Sequence, residues 1–86
     1  MTASFRDAQA LIALTELARG ETLRIVNMPD DSELSTQLRA LGLREGESIQ
    51  LLRRAPLGGP LHLRTETGIE VAIGSPAASL VSGQRA

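Results

Sequence analysis

"LLRRAPLGGPLHLR", residues Leu51–Arg64, holds two short runs of alternating leucines separated by two glycines between two prolines. Before the glycines, Ile49 and Leu51 are expected inward, with Gln50 and Leu52 outward; after them, Leu61 and Leu63 inward, with His62 and Arg64 outward. Alternation at period two is the mark of a half-buried strand. The residues between the runs decide the fold, because glycines in a short loop also build phosphate cradles. A phosphate cradle leads into a helix N-terminus, where free N–H groups converge on the anion. Here the glycines lie between two strands, Pro60 removes an N–H, and no Lys–Ser/Thr pair comes after them. The stretch is therefore read as a β-hairpin. Gly58 and Gly59 are expected to supply positive φ, and Pro56 and Pro60 to fix where the strands stop and restart.

Working outward, "TLRIVNM" (22–28) alternates Leu23 and Ile25 against Arg24, a strand ended by Pro29 and the turn residues Asp30, Asp31 and Ser32. "DSELSTQLRALGLREG" (31–46) is the clearest helix, with Leu34, Leu38 and Leu41 at i, i+4 and i+7 on one inward stripe. Asp30 with Glu33 resembles a capping box, Gly42 fits the left-handed position after the last turn, and Leu43 is placed to fold back on it. Thr67 and Gly68 form a tight turn before a strand with Ile69, Val71 and Ile73 inward and Glu70 outward. Pro76 and the neighbouring alanines make a further turn, and "SLVSG" (79–83) supplies a closing strand. "ALIALTELARGE" (10–21) reads either as a short helix ending at Gly20 or as a strand and a tight turn over 15–18, and the strand is favoured. Short strands every eight to twelve residues and one inserted helix describe a mainly β chain, a small antiparallel barrel.

Composition limits what such a domain does. Eighty-six residues make one domain, and a chain of that size buries only about 60–65% of its unfolded surface, leaving little room for a deep polar pocket. All nine basic residues are Arg, yet the net charge is −1; nucleic-acid binders usually carry a basic excess, so that class is disfavoured. With no Cys there is no disulfide, thiol or thiolate–metal chemistry. His62 is the single histidine, and it is read as a solvent-facing strand residue, because a metal site needs three or four ligands. No His–Asp pair supports a serine or threonine nucleophile. No catalytic, cofactor or metal residue is assigned, and the chain is not read as an enzyme. No apolar run approaches the roughly 20 residues of a bilayer span. Arg6 and Asp7 interrupt any secretory leader. The expectation is a cytoplasmic domain without direct membrane insertion.

Leu57 stands out. An apolar residue at a hairpin tip, flanked by Arg53 and Arg54, is either a docking knob for a partner or folds down onto Leu52 or Leu61. The candidate partner-binding set is Arg53, Arg54, Pro56, Leu57, Gly58, Gly59 and Pro60.

Three stretches, "LTELARGETLRIV" (14–26), "LRALGLREGESIQLLRRAPLGGPLHLR" (38–64) and "GIEVAIGSPAASLV" (68–81), resemble the FeoA family of ferrous-iron-transport proteins, which are small SH3-like barrels. Leu38, Leu41, Gly42, Leu43 and Gly46, then Arg53, Ala55, Pro56, Gly58 and Pro60, fall where that family's motif has them. The resemblance spans Leu11 to Val81. Two positions depart: Glu45 replaces a frequent proline, and Gly59 replaces a frequent aspartate, removing a carboxylate from the loop. The fold implied is an SH3-like antiparallel barrel over 11–83 with one short inserted α-helix, between an N-terminal extension (1–10) without family counterpart and a tail (84–86). The function implied is that of a cytosolic accessory to the FeoB ferrous-iron transporter, acting through its GTPase region, without holding iron itself. The implied docking surface is the helix together with the Arg53–Pro60 hairpin.

Rival readings are the barrel at the C-terminus of an iron-dependent repressor and a self-associating module using Leu52 and Leu57 for homo-oligomer contacts. The first needs an upstream helix-turn-helix, whereas only ten residues precede Leu11 and Met1 is read as the start of the chain. Modules that grip proline peptides or RNA need aromatic side chains, and Phe5 is the only one here.

Overall fold

The computed structural model describes residues 10–86, so the expected extension lies outside the described residues except for Ala10. Among the described residues six strands form one antiparallel sheet: β1 (Ile12–Ala13), β2 (Thr22–Asn27), β3 (Ser48–Arg54), β4 (Leu61–Arg64), β5 (Glu70–Ile73) and β6 (Ser82–Arg85). Their spatial order is β1-β6-β2-β3-β4-β5. A 3-10 turn (Leu14–Glu16) comes after β1, α1 (Ser32–Ala40) lies between β2 and β3, and α2 (Ser75–Ala78) lies between β5 and β6.

This corrects the barrel. Among the described residues β1 and β5 are both edges, and no pairing joins them, so the sheet is curled but open. The reason lies at the C-terminal end of each edge strand. β1 stops after two residues at the 3-10 turn, and β5 runs directly into α2. These two helical turns pack on each other where a closing strand pair would have to run. There is also a second α-helix rather than one: the expected turn at Pro76 is a single helical turn, with Pro in the first-turn position where its missing N–H costs nothing. The favoured strand-and-turn reading of the first segment matches β1 and the 3-10 turn.

The curl comes from two irregularities in register, at Val26 between β2 and β6 and at Leu52 between β3 and β4. Bulges of this kind raise local twist and bend the strand. On the concave side Leu23, Ile25, Ile49, Leu51, Leu61, Leu63 and Ile73 are buried with Leu14, Leu17 and Val81. Aliphatic side chains of that kind each contribute about 1.5–3 kcal/mol when fully withdrawn from water. Inside the sheet Gly83 pairs with both Ile12 and Ile25. A Cβ there would lie 1.9 Å from the Arg24 carbonyl oxygen, so only glycine permits this approach of β6 to β2.

α1 covers one end of the core. Its N-cap is Asp31, whose side chain accepts from the Leu34 N–H, and not Asp30 as the spacing to Glu33 suggested. The helix ends in a complete Schellman arrangement. Leu43 N–H donates to the Leu38 carbonyl and Gly42 N–H to the Arg39 carbonyl, with Gly42 at φ +102°. Leu38 and Leu43 are buried together, as expected, but Leu34 is only half-buried and Leu41 is exposed. The helix has already ended at Ala40, so the 3.6-residue stepping that put Leu41 on the stripe no longer applies. Ile69 is likewise exposed, because it lies one residue before β5, beyond the end of the core.

Candidate functional site

The hairpin between β3 and β4 is built as a short ladder ending in a tight turn. Ala55 N–H donates to the Pro60 carbonyl at 2.9 Å, and Gly59 N–H donates to the Pro56 carbonyl at 3.2 Å. Pro60 has no N–H to return, so the ladder stops there. The two central residues are Leu57 at φ +60° and Gly58 at φ +73°. Paired positive φ is the pattern of a type I′ turn, whose favoured residues are Asn, Asp and Gly.

The positive-φ pair is therefore Leu57 and Gly58, not the two glycines. Leu57 is the one described non-glycine residue in this region of φ. A left-handed conformation costs an ordinary L-residue about 1–2 kcal/mol, and Leu57 recovers none of that by burial, since it is 103% exposed. It does not fold onto Leu52 or Leu61. Gly59 has a different reason to be glycine: a Cβ there would meet the Ala55 Cβ at 2.7 Å and the Pro56 oxygen at 3.2 Å. The aspartate that commonly occupies this position in the resembling family would not fit without moving the loop.

The two arginines have separate fates. Arg53 lies opposite His62 and is exposed, with no hydrogen bond or ion pair among the described residues. Arg54 lies opposite Leu61, and its guanidinium donates to the Leu17 carbonyl across the mouth of the sheet. Arg54 is a tether, which sequence spacing alone does not reveal. Pro56, Leu57, Gly58 and Pro60 are exposed and Gly59 half-buried, so the tip stands clear of the body.

A second feature lies at the other end of the same ribbon. The end of α1 with its reversal (Arg39, Leu41, Gly42, Arg44) and the turn before β5 (Thr65, Thr67, Ile69) enclose a groove of about 350 Å³, with Glu47 on its rim. A Cβ on Gly42 would sit 3.2 Å from Thr65 Cγ2, so the helix-end backbone lies directly on the turn. Leu41 and Ile69, both expected in the core, are 41% and 58% exposed at this groove. Arg39 is held by Glu45 at 2.8 Å and by Ser35 Oγ at 3.3 Å, and its guanidinium keeps the Glu45 carboxyl below the ordinary range. Arg44 has no such partner among the described residues.

Among the described residues no group of three or more His, Asp or Glu side chains is placed to hold a metal ion. His62 sits between Arg53 and Ala72 in neighbouring strands, with no carboxylate directly across from it. Among the described residues no helix is long and apolar enough to cross a membrane.

The family model described as the FeoA domain matches residues 12–85. An iron uptake regulatory protein (FeoA) is similar in structure at TM-score 0.77 and 27% identity, over 90% of this chain and 99% of that one. Iron(II) transport protein A from Clostridium thermocellum is similar at TM-score 0.77 and 26% identity, over 85% of this chain and 45% of that one. A manganese-dependent transcriptional repressor reaches TM-score 0.81 at 18% identity, over 91% of this chain and 43% of that one; it shares the fold alone. No curated protein matches the chain significantly.

Proposed function

The chain belongs to the FeoA domain family, and from that membership we propose that it is a small, non-catalytic accessory of ferrous-iron transport that docks on a FeoB-type transporter through its β3–β4 hairpin. The observation that carries the proposal is Leu57: fully exposed and in a backbone conformation that disfavours leucine. Strain kept at an exposed position, with no compensation inside the molecule, is typical of a residue used on something else.

The tip suits a partner with an apolar cup and a carboxylate beside it. Leu57 fills the cup, and exposed Arg53 offers a guanidinium for bidentate pairing. A few residues seated in well-packed, desolvated pockets carry most of the energy in many interfaces, arginine often among them. Arg54 does not take part directly; by gripping the Leu17 carbonyl it fixes the direction in which the hairpin projects. Iron passes through the transporter, and this domain acts on the protein. The cytosolic GTPase region is the contact we assign to the tip.

Calorimetric titration of the full chain into the purified transporter, with and without GTP, tests this, beside Leu57→Asp. Asp tolerates the left-handed turn, so the variant keeps its fold. Saturable binding lost in the variant is the expected result, and nucleotide dependence would place the contact on the GTPase region. Binding that ignores Leu57→Asp removes the hairpin from the interface. No binding by the folded wild type removes the accessory role.

A further inference from the structure

The outer side of β5 is an open edge of the sheet among the described residues. Thr65 N–H donates to the Ile69 carbonyl at 2.8 Å, which sets the parity of the β4–β5 ladder. Hydrogen-bonded and non-hydrogen-bonded pairs alternate along an antiparallel ladder. Leu63–Val71 and Leu61–Ile73 therefore exchange main-chain bonds, whereas Arg64–Glu70 and His62–Ala72 do not. The N–H and C=O groups of Glu70 and Ala72 point instead to the free edge, and no turn or cap takes them up among the described residues.

The opposite edge is guarded. β1 has two residues, and its Ala13 N–H donates to Glu16 Oε2 at 3.1 Å. Short strands, proline, lysine and bulges are the usual protection of an edge against pairing with other chains. β5 has neither proline nor lysine, and its register against β4 is continuous. α2 and the 3-10 turn fill the seam beyond Ile73 but leave Glu70 and Ala72 exposed.

The strand's own sequence selects the occupant. We propose that two copies of this chain join through β5, antiparallel about a two-fold axis at Val71, into one continuous sheet. Val71 lies opposite Val71 of the second copy as a non-hydrogen-bonded pair, and Glu70 lies opposite Ala72 as a hydrogen-bonded one. Every free N–H and C=O of Glu70 and Ala72 in both copies is then used. On the core-facing side Ile69, Val71 and Ile73 meet Ile73, Val71 and Ile69, so β-branched apolar side chains face each other at each position. Ile69, 58% exposed in the single chain, gains the cover it lacks. On the other face each Glu70 meets an alanine, and Arg64 at 3.0 Å already balances its charge. Sliding the register by two residues would set Glu70 against Glu70 and Ala72 against the turn at Gly68, so the match holds in one register. An unrelated strand would have to reproduce this pattern, whereas a second copy carries it. A four-residue strand buries less than the roughly 1,200 Å² of a stable interface, so the pairing is weak, in the millimolar range. Leu61, at the hairpin end of β4, pairs with Ile73, so the two-fold axis sends the two hairpin tips to opposite ends of the joined sheet and leaves both open.

The test is a dilution series of the full 15N-labelled chain from low millimolar to micromolar, with amide shifts and translational diffusion read together. Expected are shifts that follow one monomer–dimer curve, centred on Glu70, Val71 and Ala72, with diffusion slowing in step. Ala72→Lys sets a cation against Glu70 of the other copy twice per dimer and should tighten pairing by about threefold to tenfold; Ala72→Glu should weaken it by about as much. Position 72 is exposed, so both variants keep the fold. Val71→Cys, in a chain with no native cysteine, should form a disulfide-linked dimer with oxidised glutathione as the electron acceptor, because residues in a non-hydrogen-bonded pair stand about 4.5 Å apart at Cα. Ala72→Cys, offset along the strand, should link far more slowly. Shifts absent at low millimolar concentration, shifts centred on Leu52 and Leu57, or equal responses to Ala72→Lys and Ala72→Glu overturn the proposal. A chain that stays monomeric while added transporter protects the Glu70 and Ala72 amides from exchange gives the edge to the transporter, which also overturns it. The dilution series contains no transporter, so its failure leaves the role of the hairpin tip standing.

Discussion

Replacing Leu57 with Asn should make the domain more stable and less able to bind. Leu57 occupies φ +60° at full exposure, so the substitution discards no buried contact. It relieves a left-handed leucine worth about 1–2 kcal/mol, and it sets an asparagine directly before Gly58, giving the Asn-Gly dipeptide most favoured in a type I′ turn. A net gain of about 1 kcal/mol is expected. Unfolding entropy near 2.1 cal/mol/K per residue gives roughly 180 cal/mol/K for a domain of this size, so the melting temperature should rise by about 5 °C. Differential scanning calorimetry reads this directly. Leu57→Ala is the control: it removes the same apolar group but keeps a Cβ in the left-handed region, so its melting temperature should stay within about 2 °C of wild type. If the Asn variant melts at or below wild type, or the Ala variant gains as much, the strain argument is wrong. A variant that is stabilised and also loses the transporter places Leu57 among residues kept for function at the expense of stability.

Three further outcomes are expected from the packing. Gly83→Ala should cost more than about 4 kcal/mol, or prevent folding, because its Cβ would meet β2 backbone at 1.9, 2.8 and 3.0 Å; Gly74→Ala, whose nearest neighbour is Pro76 Cδ at 3.9 Å, should be close to neutral in the same urea titration. Leu38→Ala should cost about 2–4 kcal/mol and Leu41→Ala less than about 1 kcal/mol, since only Leu38 is buried; equal costs would mean that Leu41 faces the core after all. The Glu21 carboxyl is held below its ordinary range first by the Ala18 N–H and then by Arg85. In the folded state it therefore gives up its proton more readily than in the unfolded state, so its contribution is present above the ordinary value of about 4.3 and fades as pH falls through the lowered one. Melting temperature measured from pH 6 to about pH 2.5 should fall less steeply for Glu21→Gln than for wild type, and parallel curves would refute the linkage.

Much of this was readable from residue order alone, and the exceptions share a cause. The strand faces of Leu23, Ile25, Ile49, Leu51, Leu61 and Leu63 come from parity, a local property that the sheet preserves. The end of α1 was legible in Gly42 and Leu43, because a Schellman turn needs a positive-φ residue and then an apolar one. Ile69 shows where parity stops being enough. It shares the face of Val71 and Ile73, but it lies past the last layer of the core, and depth along a strand depends on the elements packed opposite. Whether a curled sheet closes is also non-local. It depended on α2 and the 3-10 turn occupying the seam, and neither segment carries a signal of the other. Among the site residues, the exposure of Leu57 was one of two readings the sequence allowed, whereas the tethering of Arg54 to a carbonyl 37 residues away had no sequence signature. The groove was hidden for the same reason: it is assembled from residues near 39–44, 47 and 65–69, and sequence periodicity places its two apolar residues, Leu41 and Ile69, in the core.

The strand order carries a consequence for how the domain is made. β2 to β5 form a meander in which each strand pairs with its neighbour in the chain, so these pairings form as soon as each strand is available. β1 is different: among the described residues it pairs with β6 alone, and β6 is inserted between β1 and β2. During synthesis, residues 12–13 therefore wait, unpaired, until residues 82–85 have left the ribosome. The core beneath them, including Leu14 and Val81, stays unsealed for the same interval. Any nascent chain stalled before Gly83 holds a four-stranded sheet with an exposed apolar flank along β2, a natural substrate for chaperones and proteases. In this domain the strand translated last takes a place inside the sheet, not at its edge.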